Sequence, residues 1–319
     1  MNIKKLLPIV GIIILIYLIS TIDISSVISI FLNIPIVFAF LCLFAIVPIL
    51  ISTAIQWQMV LKKQKISVSF IYSIKNILIG YFYGFITPGG FGAYIRSIYL
   101  KDESKQPLPK CLSNIITFNT LDFLSLLTLG MIGSFLLIST IPYLFWIITI
   151  VLIVVASLFI FFLRKRKSKD LFTKMIKSNI FSVVQNKLED SLETFYENLP
   201  SFKSLIAPFI LSILGWILLF TEFYFISILF SINIPYIWFI SIFSIAYVVA
   251  SLPISIYGLG TREVSLISLF SLFEIPAANV LSFSLFCFVI IWILPSVAGA
   301  GITFFEHKKY ATEKQYDKN

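Results

Sequence analysis

The sequence predicts an all-α fold: a polytopic integral membrane helix bundle with about six full spans and two re-entrant helical hairpins forming an inverted repeat. Three observations carry this. Of 319 residues, 59% are hydrophobic and only 12% charged. Apolar runs at 6–22, 35–55, 115–138, 141–163, 205–230 and 280–305 each have about the length that crosses a bilayer as a helix. Twice, a stretch with proline, glycines and an arginine interrupts otherwise apolar sequence. The first is Thr87-Pro88-Gly89-Gly90-Phe91-Gly92-Ala93-Tyr94-Ile95-Arg96. The second is Leu252-Pro253-Ile254-Ser255-Ile256-Tyr257-Gly258-Leu259-Gly260-Thr261-Arg262-Glu263. Paired helix breaks with a cation at membrane depth, one per half, point to a transport site.

The first run follows Lys4 and Lys5 and is followed by further spans rather than a small-residue cleavage site, so a retained first helix is expected. Lysine and arginine then set the orientation. They cluster at Lys4-Lys5, at 62–65, at 101–110, at 164–169 and at Lys308-Lys309. They are missing from the connections around Asp23, 139–142, 233–235 and 274–279. The positive-inside rule puts the first group, and both termini, in the cytoplasm of a cell-membrane protein. Counting crossings, segment 66–100 starts and ends inside, while 236–273 starts and ends outside. Each is expected to be a hairpin that turns at depth, the two entering from opposite faces. Ordinary helical hairpins with kinks remain the alternative. Non-helical backbone at such depth needs protein packing or a wet cavity around it. The glycine turns recur about 168 residues apart, from Gly92 to Gly260.

The expected organisation is a first membrane half at 1–163, a cytoplasmic linker at 164–203, a second half at 204–306 and a cytoplasmic tail at 307–319. In the linker, Phe181, Val184, Leu188, Leu192, Phe195 and Leu199 recur at helical spacing, with Glu189, Asp190, Glu193 and Glu197 off that stripe. An amphipathic interfacial helix is predicted.

Several chemistries are poorly supported. Cys42, Cys111 and Cys287 are scattered, and His307 is the only histidine, beyond the last apolar run. Neither a disulfide framework, a metal site nor a cofactor is expected. The net charge of +9 sits in short loops, where it reports membrane orientation rather than nucleic-acid binding.

Arg96 and Arg262 are the leading candidates for binding substrate. A guanidinium holds a phosphate through a planar fork and stays charged at any physiological pH. Gly90, Gly92, Gly258 and Gly260 allow backbone N–H groups close to an anion. Tyr94 and Tyr257 flank the turns and are candidates for lining a headgroup pocket. Asp122, with Asn119 three residues earlier on the same helix face, and Glu222 are intramembrane candidates for pairing with the arginines or handling a coupling proton. Glu263 follows Arg262 directly, so the two side chains need not meet, and a helix-capping role is open. For each charged residue a purely structural ion pair is the competing reading.

The two interrupted stretches, and above all Pro253 followed by Gly258-Leu259-Gly260-Thr261-Arg262-Glu263, resemble the flippase-like membrane domain of lysylphosphatidylglycerol synthases. The span pattern extends the resemblance over essentially the whole chain. It implies movement of a phospholipid or polyprenyl-phosphate-linked lipid between leaflets. No aminoacyl-transferase domain is recognisable, so a non-enzymatic translocator is expected. The alternative is a membrane-embedded enzyme or enzyme subunit acting on a lipid-linked substrate by glycosyl or aminoacyl transfer. Expected partners are the bilayer and an anionic or polyprenyl-phosphate lipid, with a cytoplasmic lipid-modifying enzyme and a second copy of the chain as further candidates.

Overall fold

A computed structural model describes residues 14–18, 20–22, 24–164, 185–252 and 255–316. In order, its helices are α1 (Ile24–Asn33), α2 (Ile36–Lys63), α3 (Phe70–Phe85), α4 (Arg96–Ser104), α5 (Leu108–Leu136), α6 (Pro142–Leu163), α7 (Gln185–Glu197), α8 (Phe202–Phe230), α9 (Tyr236–Ala250), α10 (Thr261–Phe270) and α11 (Ala277–Glu306). No strand occurs among the described residues. Helices α2, α5, α6, α8 and α11 are long and apolar enough to cross a membrane, and they match five of the expected spans. The expected span at 6–22 lies largely outside the described residues, as do the basic run after Arg164 and the first part of the linker stripe.

Both interrupted segments are broken helices. Helices α3 and α4 have 16 and 9 residues, and α9 and α10 have 15 and 10. At 1.5 Å per residue the longest reaches only about 24 Å, short of the ~30 Å hydrocarbon core. The first break is chemical in origin. Pro88 offers no N–H and disfavours helical backbone at Thr87. The Thr87 hydroxyl then donates to the Tyr83 carbonyl at 2.8 Å and accepts the Gly92 N–H at 2.7 Å, folding the chain into a 3-10 stretch, Pro88–Ile95. A Cβ on Gly92 would lie 2.1 Å from the Tyr83 carbonyl oxygen, so the turn closes only around glycine. At the second break, Pro253 and Ile254 lie outside the described residues. Beyond them, three residues adopt left-handed backbone: Tyr257 (φ 47°), Gly258 (φ 76°) and Gly260 (φ 87°). Gly258 sits against Ala250, where a Cβ would come within 2.4 Å of the alanine methyl.

By contacts the chain divides into two compact units. One comprises Met1–Ile51, Ile74–Ala93 and Ile217–Asn319. Its core is aromatic: Phe220, Phe223, Phe239, Phe243, Phe270 and Phe283 are all buried. Phe239 and Phe243 stack at 4.5 Å, and Phe270 meets both edge-on, tying α10 back against α9. Such pairs are worth about 0.5–1.5 kcal/mol each beyond area burial. That matters in lipid, where apolar burial alone drives little helix association.

The other unit comprises Ser52–Ser73 and Tyr94–Trp216, with α5 at its centre against α4, α6 and α7. The most apolar window of α5 is 56% buried and that of α6 only 11%. The difference follows from sequence. Helix α5 carries buried Ser113, Asn114, Thr117, Ser125 and Ser134, which need protein partners, and Gly130 and Gly133, which let neighbours approach. Helix α6 is nearly all large apolar residues and turns Trp146, Ile150 and Leu158 outward, as a lipid-facing helix does. Of the described linker stripe, Leu192 and Phe195 are half-buried and Leu199 is buried, with Phe195 meeting Phe162 of α6. Tyr196, outside the predicted stripe, is also buried, while Asp190, Glu193 and Glu197 are exposed.

Candidate functional site

Each predicted arginine is buried in a differently built environment. Arg96, 5% exposed, opens α4 and lies in the second unit described above. Its guanidinium carbon sits 4.5 Å from the Trp57 ring centroid and 5.4 Å from that of Phe118. Cation–π contacts at desolvated sites are worth about 2 kcal/mol. The platform itself is rigid. The Trp57 indole N–H donates to Asn114 Oδ1 at 2.8 Å, and Asn114 Nδ2 donates to Gln64 Oε1 at 2.6 Å. Gln64 Nε2 in turn donates to Ser113 Oγ at 3.2 Å and to the Asn198 carbonyl at 2.9 Å. This buried chain links the residue after α7 to the ring beneath Arg96. Trp57 and Gln64 were not among the predicted site residues, although Gln56-Trp57-Gln58 is a polar interruption within an apolar run and was a readable signal.

Arg262, 2% exposed, meets its sequence neighbour, against the expectation that the two side chains need not meet. Its Nε and Nη2 both donate to Glu263 Oε1, with Nε at 3.1 Å. Adjacent helical residues normally diverge. Here α10 begins at this point, and Ser284 of α11 bridges the pair: its hydroxyl donates to Glu263 Oε1 at 2.8 Å and accepts Arg262 Nε at 3.1 Å. The other carboxylate oxygen of Glu263 accepts the Gly260 N–H at 2.6 Å, capping α10 as the capping reading anticipated. Phe288 lies 5.1 Å from the guanidinium carbon. The result is an anion-binding nest of helix N-terminus, guanidinium and hydroxyl, holding the chain's own carboxylate.

The remaining candidates fall elsewhere. Asp122 pairs with neither arginine; its Oδ1 accepts the Ser212 hydroxyl at 2.9 Å, and its carbonyl accepts Trp216 Nε1 at 3.2 Å and Ser125 Oγ at 2.7 Å. Asn119 is half-buried and is not bonded to Asp122. Glu222 is half-buried, and its Oε2 has no hydrogen-bond partner among the described residues. Tyr94 is half-buried, its carbonyl accepting the Ser97 hydroxyl at 2.8 Å.

The two glycine turns do come together, through Tyr257. Its ring stacks on Trp292 at 3.9 Å, and its Cε1 lies 3.6 Å from the position of a Cβ on Gly90. A Cβ on Gly84 would fall 1.9 Å from its hydroxyl, so the tyrosine fits only because α3 carries glycine there. Trp292 is a further residue that sequence reasoning missed; it lies in a π-helical turn, Val289–Ile293, within an apolar run that gives no local sign of it.

A relative, UPF0104 membrane protein MJ1595 of Methanocaldococcus jannaschii, is 25% identical over 272 residues, covering 80% of this chain and 81% of that protein. The family model for the lysylphosphatidylglycerol synthase TM region matches residues 6–299, including both glycine turns and both arginines. This multi-pass membrane chain therefore belongs to the lysylphosphatidylglycerol synthase TM region family.

Proposed function

We propose that the protein is a lipid translocator that carries a phospholipid or polyprenyl-phosphate lipid between leaflets of the cell membrane, its termini in the cytoplasm, without chemically changing its cargo. The observation that carries the reading is the burial of two arginines at glycine-rich breaks in a membrane helix bundle. A permanent cation at membrane depth costs roughly 2.5 kcal/mol or more and persists where it has a function or a partner. Arg262 has a partner that is itself anionic, Glu263. The headgroup phosphate competes with that carboxylate for the guanidinium, the hydroxyl of Ser284 and the N-terminus of α10. The internal pair keeps the site neutral between cargoes. Arg96, in the other unit, is a separate candidate cation, its guanidinium carbon 4.5 Å from the Trp57 ring centroid. Family membership supports the lipid character of the cargo.

The test is redistribution of a fluorescent phosphatidylglycerol in proteoliposomes, read by an impermeant quencher. Arg262→Gln combined with Glu263→Gln removes both charges without stranding either, and Arg96→Gln is made separately. Both are expected to abolish redistribution in protein that elutes as a folded species. Wild-type rates in both folded variants overturn the reading. Recovery of a covalently altered lipid would make the protein an enzyme instead.

A further inference from the structure

Three irregularities meet at one point of the first unit. Tyr257 is a bulky residue held in left-handed backbone, φ 47°, where side chains of its kind are strained. Trp292 lies in a π-helical turn, a distortion frequent at functional sites. The Trp292 indole N–H is enclosed and has no hydrogen-bond partner among the described residues. A buried donor without an acceptor is rarely retained where only packing is at stake. The Tyr257 ring covers this indole at 3.9 Å. Its hydroxyl reaches the Tyr81 carbonyl at 3.4 Å, but that carbonyl already accepts the Ser296 hydroxyl at 3.1 Å, so departure of the tyrosine strands no acceptor.

We propose that Trp292 and Tyr257 form a gated subsite for a phosphate-ester oxygen of the transported lipid. Tyr257 is the cover: it lies on the indole in the empty protein and swings away when lipid arrives, relaxing its own backbone. Trp292 is the reader: its freed Nε1–H donates to the phosphate-ester oxygen. This deepens the translocator reading and rests on it, naming the group that recognises the neck of the lipid. The glycine at 84 then has a specific use, since a side chain there would block the covered position.

The experiment uses the full chain labelled with 5-fluorotryptophan in maltoside micelles, which contain no phosphate. Its five tryptophans give separate fluorine resonances, and Trp292→Phe identifies the one at 292. Dioctanoyl phosphatidylglycerol is titrated in, with dioctanoylglycerol as the matched lipid lacking phosphate; binding of each is followed in parallel by native mass spectrometry. The expected result is a saturable shift of the Trp292 resonance with phosphatidylglycerol alone, and binding about tenfold weaker in Trp292→Phe. Tyr257→Gly, which suits the left-handed backbone and removes the cover, is expected to bind more tightly. Phosphatidylglycerol binding with a silent Trp292 resonance overturns the subsite while leaving the translocator reading intact. An equal shift with dioctanoylglycerol also overturns it, as apolar contact. Weaker binding by Tyr257→Gly refutes the cover. Absence of binding by any phospholipid defeats both readings.

Discussion

Substituting Glu263 by Gln keeps the shape of the side chain and deletes the charge that Arg262 is paired with. The guanidinium is 2% exposed, lies beside the positive end of α10, and is ion-paired with Glu263. Stranding one partner of such a pair costs about 3–5 kcal/mol. The reverse change, Arg262→Gln, is expected to be milder. Glu263 keeps the Gly260 N–H at 2.6 Å and the Ser284 hydroxyl at 2.8 Å, and the helix N-terminus offsets roughly 0.5–1 kcal/mol of the stranded negative charge. Combining the two changes leaves amides that can hydrogen-bond to each other, so the double variant should lie within about 2 kcal/mol of wild type. It thus falls at least about 1 kcal/mol short of the sum of the singles. Equilibrium unfolding by SDS titration, followed by circular dichroism, measures all four corners of the cycle. Glu263→Gln within about 0.5 kcal/mol of wild type, or Arg262→Gln more damaging than Glu263→Gln, would refute this account of the nest.

Two glycines of α11 give a paired test in the same assay. A Cβ at Gly299 would sit 2.0 Å from the Leu78 carbonyl oxygen, so Gly299→Ala should destabilise by about 2 kcal/mol or more, whereas Gly301 has nothing within 4 Å and Gly301→Ala should be neutral or up to about 1 kcal/mol stabilising. Trp57→Phe removes the donor that Asn114 Oδ1 accepts in a buried site and is expected to cost about 1–3 kcal/mol, with most of that loss absent when Asn114 is already Ala. For topology, exposed Lys105 and Glu274 follow the second arms of the two broken segments. In a background without Cys42, Cys111 and Cys287, Lys105→Cys should react with an impermeant maleimide only from the cytoplasmic side and Glu274→Cys only from outside; reaction of both from one side refutes the opposed hairpins.

Element existence was legible wherever one physical demand acts over a long stretch. An apolar run of bilayer length must satisfy its own backbone, and helix is the way to do so; α2, α5, α6, α8 and α11 are therefore readable without coordinates. The two breaks were legible as well, because Pro88 and the glycines at 90, 92, 258 and 260 impose backbone limits that travel with the residue. Site membership was legible only in part. Arg96 and Arg262 stood out as cations in apolar surroundings, but what surrounds them did not. Trp57 comes from α2, and Ser284 and Phe288 from α11, so no local pattern announces them. Asp122 shows the opposite error. A carboxylate in a membrane span suggests an arginine partner, yet α8 supplies Ser212 and Trp216 instead.

By itself, then, the sequence determined that this is a helical membrane chain, where its helices break, and which residues carry charge into the bilayer. These are consequences of hydropathy and of backbone sterics, and both act over a few neighbouring residues. Tertiary structure alone decided that Glu263 occupies the nest of Arg262, that Arg96 lies on Trp57, and that Tyr257 of one turn reaches across to Gly90 of the other and covers Trp292. Those pairings depend on which helix faces approach one another, and that is set by close packing around glycine and aromatic residues far apart in the chain.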